Sequence, residues 1–86
     1  MRVRSSHQRI LEALFSIPPP RTLDWRDLEG LFIALGAEVI EGRGSRVRFV
    51  LNNVIGTFHR PHPSKEAKLY QILEAKDFLE AAGVKP

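Results

Sequence analysis

Asn52-Asn53 lies between Arg46-Val47-Arg48-Phe49-Val50-Leu51 and Val54-Ile55-Gly56-Thr57-Phe58-His59, two runs rich in β-branched and aromatic residues. The pattern predicts a β-hairpin, because asparagine tolerates the positive φ that a two-residue type I′ turn demands. A turn of that length also sets the register: 51 faces 54, 50 faces 55, 49 faces 56, 48 faces 57, 47 faces 58 and 46 faces 59. Side chains alternate between the faces of a strand. Val47, Phe49, Leu51, Val54 and Phe58 are therefore expected on one face, and Arg46, Arg48, Thr57 and His59 on the other. The first face is a core. The second presents two guanidiniums, a hydroxyl and an imidazole, groups suited to gripping a phosphodiester.

The remaining elements are read outward from this hairpin. Ser5 to Phe15 has the spacing of a short helix, with Ser5 and Gln8 placed as a capping box and Ile10, Leu11, Leu14 and Phe15 as its apolar stripe. Pro18-Pro19-Pro20 ends it in a stiff, extended linker. A second helix is expected from Asp24, its cap, to Leu35, with Trp25, Leu28, Leu31, Phe32 and Leu35 at helical spacing and Gly36 as the C′ residue. Ala37 to Glu41 reads as a strand leading through the Gly42-Arg43-Gly44 turn into the hairpin. A last helix is expected from Ser64 to Ala82, with Leu69, Ile72, Leu73, Leu79 and Ala82 facing inward and Gly83 closing it.

This order predicts an α+β sandwich, a three-stranded antiparallel sheet with helices on one face and the Arg46 and His59 face open to water. Residues 1–20 form an N-terminal helix and proline-rich linker, and residues 21–86 the main domain. Trp25, Phe32, Phe49 and Phe58 fall on apolar stripes and read as core rather than as platforms for bases. An 86-residue chain supports one modest core.

The absence of cysteine rules out disulfides and thiolate metal sites and suits a reducing cytoplasm. No apolar run approaches the ~20 residues of a membrane span, and the basic start from Met1 lacks the apolar region of a secretory signal. The net charge of +3 favours an anionic partner. Arg43, Arg46, Arg48, Arg60, Lys65 and Lys68 cluster around the hairpin and its exit.

The order of elements, with Gly36-Ala37-Glu38-Val39, Gly44-Ser45 before the second strand, and His62-Pro63-Ser64-Lys65-Glu66 before the last helix, resembles the HicA family of bacterial toxins. The resemblance spans about Asp24 to Val84. It implies a double-stranded-RNA-binding-like fold and a cytoplasmic mRNA interferase that needs no metal or other cofactor and is held inactive by a HicB antitoxin. HicA proteins usually follow the Gly-Ser pair with a histidine on which RNA cleavage depends. Arg46 stands there in this chain, and Val47 occupies the place where a second histidine commonly follows.

Cleavage of RNA without a metal needs a base for the 2′-hydroxyl proton, a cation for the charge on the phosphorane and an acid for the departing 5′-oxygen. Arginine is no base, but its planar fork holds a phosphate at two points. The proton work then falls to His59, which the register sets across from Arg46, or to His62, with Arg46 supplying positive charge. Arg43, Arg46, Arg48, Thr57, Arg60 and Lys65 are the expected RNA contacts.

Blander readings stand beside these. His59 reads equally as an exposed strand residue without a task, His62 as a turn residue between Pro61 and Pro63, and the arginines as a solvated basic face. Gly42-x-Gly44 supports a turn or a backbone nest for a phosphate, not a nucleotide-binding loop. His7 is remote from the other two histidines, and their spacing is not that of metal ligands, so no metal site is expected. Two further functions fit: a catalytically silent RNA- or partner-binding module on the same fold, and a dimeric interaction protein that docks an exposed apolar face at residues 10–15 on a neighbour.

Overall fold

Asn52 and Asn53 take φ values of 50° and 67°, the left-handed pair that a type I′ turn requires. The hairpin closes in the expected register, from Leu51 opposite Val54 to Arg46 opposite His59. The computed structural model describes residues 4–86; Met1-Arg2-Val3, the beginning of the basic start, lies outside them. In chain order the elements are α1 (Ser5–Leu14), β1 (Thr22–Asp24), α2 (Trp25–Ala34), β2 (Glu38–Glu41), β3 (Arg46–Leu51), β4 (Val54–His59), β5 (Glu66–Lys68) and α3 (Leu69–Ala81). The order β2-β3-β4 makes an antiparallel three-stranded sheet, and β1 pairs with β5 in a separate two-stranded one. This is an α+β sandwich of the expected kind.

The buried face of the sheet carries Val47, Phe49, Leu51 and Phe58, against which α2 sets Trp25, Leu28, Leu31 and Phe32 and α3 sets Ile72, Ala75, Phe78 and Leu79. Phe32 meets Phe49 edge-on at 4.9 Å and Phe78 at 5.2 Å, and Trp25 lies 5.7 Å from Phe58. Tilted and edge-to-face contacts of this kind add to the area buried. Gly56, opposite Phe49, lets α3 come close: a Cβ there would fall 2.7 Å from the Phe78 ring. Leu11 and Leu14 of α1 are buried in the same core, so the apolar face considered for docking on a neighbour is turned mainly toward its own chain.

Four details depart from the sequence reading. Ser5 lies inside α1, because Arg4 is already the extended N-cap residue and offers no side-chain bond; the capping box does not form, and Gln8 bonds Glu12 one turn on. The last helix starts at Leu69 rather than Ser64, since Glu66–Lys68 pairs with Thr22–Asp24. Its buried stripe runs through Ile72, Ala75, Phe78, Leu79 and Ala82, while Leu69 and Leu73 are 36% and 42% exposed. Finally, β1 and β5 were not expected at all, as three-residue strands are too short to show a period. Asp24 caps α2 by accepting from the Arg26 N–H at 2.9 Å, and Gly36 and Gly83 end α2 and α3 at φ of 101° and 83°. No helix among the described residues is long and apolar enough to cross a membrane.

Candidate functional site

The outer face of the sheet is set by register alone. Glu38, Val50 and Ile55 form one row across it, Ile40, Arg48 and Thr57 the next, and Arg46 and His59 a third. The Gly42–Ser45 turn completes the third row. The Gly42 N–H donates to the Arg46 carbonyl at 2.9 Å, and the Arg46 N–H donates to the Arg43 carbonyl at 3.0 Å. A Cβ at Gly42 would lie 3.0 Å from Arg46 Cβ, so glycine lets the turn fold tightly against the start of β3. Gly42, Arg43, Arg46, Arg48, Thr57 and His59 thereby line an open cleft of about 550 Å³. Among the described residues, none of its three arginines forms an ion pair. Unpaired guanidiniums facing one hollow attract phosphate.

His59 is held at two points. Ser45 Oγ lies 3.4 Å from its Nδ1, in a hydrogen bond whose direction follows the imidazole tautomer. Its backbone carbonyl accepts from Gln71 Nε2 at 2.8 Å, while Gln71 Oε1 accepts from the Lys68 N–H at 3.3 Å. Gln71 is thus a buried side chain satisfied at both ends, tying the end of β4 to the start of α3.

On the other side of His59, a second cleft of about 310 Å³ runs between the Pro61–Ser64 loop and α3, where His62, Glu66, Lys68 and Tyr70 line it. His59 borders both clefts. His62 shares the second with His59, and Arg46 shares the first. Lys65 lines neither. Its carbonyl accepts from the Trp25 N–H at 2.8 Å. The Asp24 carboxyl is held below its ordinary range chiefly by the Arg26 N–H, then by the Arg26 side chain, with a smaller contribution from Lys65.

Arg60 does not join the outer cations. Its N–H donates to the Ser45 carbonyl at 2.8 Å, extending the ladder by one pair, so its side chain points to the helix-covered side. There Nε and Nη2 reach Glu29 of α2 at 3.0 and 2.9 Å, and Nη1 and Nη2 reach Glu41 of β2 at 2.6 and 3.0 Å. Trp25 Nε1 also donates to Glu29 at 2.8 Å. Hydrogen bonds from Arg60 pull both carboxyls below the usual glutamate range, against the opposing effect of burial, and Trp25 helps at Glu29. The two carboxylates in turn raise the Arg60 pKa. The guanidinium counted from sequence among the RNA contacts is a clamp joining α2, β2 and the exit of β4.

Sequence reasoning passed over Ser45 as a partner for His59, and it passed over Gln71, Glu29 and Glu41. The register offered a signal for the last, because Glu41 pairs with buried Val47 and so lies on the side where Arg60 falls. Nothing in the pattern marked Gln71. Among the described residues, no three His, Asp or Glu side chains gather as a metal site.

Comparison with protein families matches residues 25–84 to the family described as HicA toxin of bacterial toxin-antitoxin. Neither the curated proteins nor the solved structures return a match.

Proposed function

Because the chain belongs to the HicA family of bacterial toxins, we propose that it is an RNA-binding toxin of a toxin-antitoxin pair that cleaves mRNA in the cytoplasm, with the open sheet face as its RNA interface. One observation carries the reading: Arg46 and His59 are opposed on an exposed row, and with Arg43, Arg48 and Thr57 they line a single cleft. The guanidiniums hold the phosphate and offset charge as it builds on the phosphorane. An imidazole at the cleft edge takes the 2′-hydroxyl proton, the 2′-oxygen attacks the adjacent phosphorus, and the bond from phosphorus to the 5′-oxygen breaks. A protonated imidazole returns a proton to that leaving oxygen.

His59 fits the first proton role, since Ser45 steadies its Nδ1 side and it borders the arginines. His62, which shares a cleft with His59 but not with Arg46, is the candidate for the second. A HicB-like antitoxin would silence the protein by covering the same arginines.

His59→Ala should slow cleavage by about 10²–10⁴, the usual worth of a positioned acid or base, with RNA affinity nearly unchanged. Loss on replacing His62 alone would move the primary role there. Full activity in a variant lacking both, in a preparation free of contaminating nucleases, would sink the mechanism. A second reading has its own support: Arg46 occupies the place of the family's usual histidine and cannot exchange protons near neutrality. The chain is then a silent RNA- or partner-binding module. RNA binding with no turnover by the parent protein selects that reading.

A further inference from the structure

The second cleft differs in chemistry from the first although the two share His59. The first is walled by arginines. The second is lined by Tyr70, His62, Pro61 and Pro63, with one carboxylate, Glu66, and two cations, Lys68 and Arg60, the guanidinium of Arg60 being already engaged by Glu29 and Glu41. A carboxylate repels phosphate but accepts from the N–H groups of a base edge, while flat and apolar rings offer a base contact area. Tyr70 is the chain's one tyrosine and is 59% exposed, whereas Trp25, Phe32, Phe49, Phe58 and Phe78 are buried in the core. A ring left in water beside a cleft contributes little to the fold and is available to a ligand. Stacking on it fixes few rotatable bonds, so the ordering cost is small.

We infer that this cleft is a nucleobase subsite, in which Tyr70 stacks on the base next to the phosphate held by Arg46 and Arg48. The inference rests on the open sheet face being an RNA interface and adds where the strand goes next. A nucleotide whose phosphate lies in the arginine cleft passes His59, and its neighbouring base enters the space between the Pro61–Ser64 loop and α3. Gln71 is a positioning residue here: it joins the His59 carbonyl to the Lys68 N–H and so fixes the spacing between the two clefts. Sequence preference of the toxin would then be read by contacts in the second cleft, while the first takes any phosphate.

The test uses the full chain with short single-stranded 2′-fluoro RNA, which cannot be cleaved by 2′ attack, carrying 2-aminopurine at successive positions. With the parent protein, fluorescence of the probe should be quenched on binding at one position. Tyr70→Ala should abolish that quench and weaken binding about 5- to 150-fold, the worth of one stacked base, without changing the salt dependence. Tyr70→Phe should keep both the quench and the affinity. Circular dichroism checks that each variant is folded.

Unchanged quench and affinity in Tyr70→Ala overturn the subsite. If Arg46→Ala with Arg48→Ala still weakens binding and lowers its salt slope in the same experiment, the interface survives that failure. A smaller salt slope in Tyr70→Ala would show loss of a phosphate contact and overturn stacking, as would loss of binding in Tyr70→Phe. A parent protein that binds no RNA overturns the interface and the subsite together.

Discussion

Replacing Arg60 with alanine removes two hydrogen bonds to Glu29 and two to Glu41. The cost is set mainly at Glu29, whose side chain is 19% exposed and which keeps only the Trp25 indole as a partner. Breaking a fully buried ion pair costs about 3–5 kcal/mol, and an exposed one contributes about 0–1 kcal/mol. Glu29 lies between these limits and Glu41 is well solvated, so about 2–3 kcal/mol is expected. For a domain of this size that corresponds to roughly 10–20 °C in Tm, read by circular dichroism with a parallel urea titration. Because the guanidinium is turned to the helix-covered side, the folded variant should lose no phosphate contact, and its salt dependence of RNA binding should match the parent. A Tm within about 2 °C of the parent, together with a salt slope smaller by about 0.7, one phosphate contact on a single strand, would refute the clamp and restore Arg60 to the RNA interface.

The same pair gives a pH signature. Both glutamates have folded-state pKa values below the ordinary 4.5, so their contribution is fully present above that value and is lost as pH falls through the folded values. The Tm difference between parent and Arg60→Ala should hold from neutrality down to about 4.5 and close at lower pH. A gap that stays constant into strong acid would mean that packing of the arginine stem, and not its charge, stabilises the fold.

Arg46→Ala with Arg48→Ala should leave Tm unchanged, since both side chains are exposed and form no ion pair among the described residues, and should lower the salt slope of RNA binding by about 1.4, the worth of two phosphate contacts. Gly56→Ala should destabilise by about 1–3 kcal/mol in urea unfolding, because the added Cβ meets the Phe78 ring at 2.7 Å and Phe58 at 3.0 Å. Ile55→Ser, a neutral change at a side chain 60% exposed on the outer face, should weaken binding of the antitoxin partner measured by calorimetry and leave RNA affinity within about threefold, since it removes apolar area and no charge.

The hairpin was legible because its turn, alternation and pairing are all local: Asn52-Asn53 fixes the register, and every facing pair follows by counting. The α2 cap and its terminal glycine were legible for the same reason. What escaped depended on partners distant in sequence. Thr22–Asp24 and Glu66–Lys68 become strands only because each meets the other, and Gln71 matters only because β4 ends beside α3. In α3 the apolar residues occupy two phases, Leu69 with Leu73 and Ile72 with Leu79, and sequence alone does not say which phase the sheet covers. Arg60 is different, since the information was present. Alternation carried one residue beyond His59 assigns it to the Phe58 side, and counting it with the outer cations followed charge where register should have decided.

The rows of the outer face also bear on how one small sheet could serve both RNA and a protein partner. Its cationic end is built by Arg46, Arg48 and the Gly42–Ser45 turn; at the Asn52-Asn53 end, Val50 and Ile55 are paired beside Glu38. In the proposed interface RNA would use the first end, where phosphates would meet guanidiniums that form no ion pair among the described residues. A protein that masked only those arginines would compete by charge alone and would weaken as salt rises. One that also covered Val50 and Ile55 would add apolar burial that salt does not screen, and would hold under conditions that release RNA. The arrangement therefore favours a partner whose footprint extends along the hairpin from His59 to Ile55, acidic over the arginines and apolar beyond them, and it makes Ile55 the position at which partner binding separates from RNA binding.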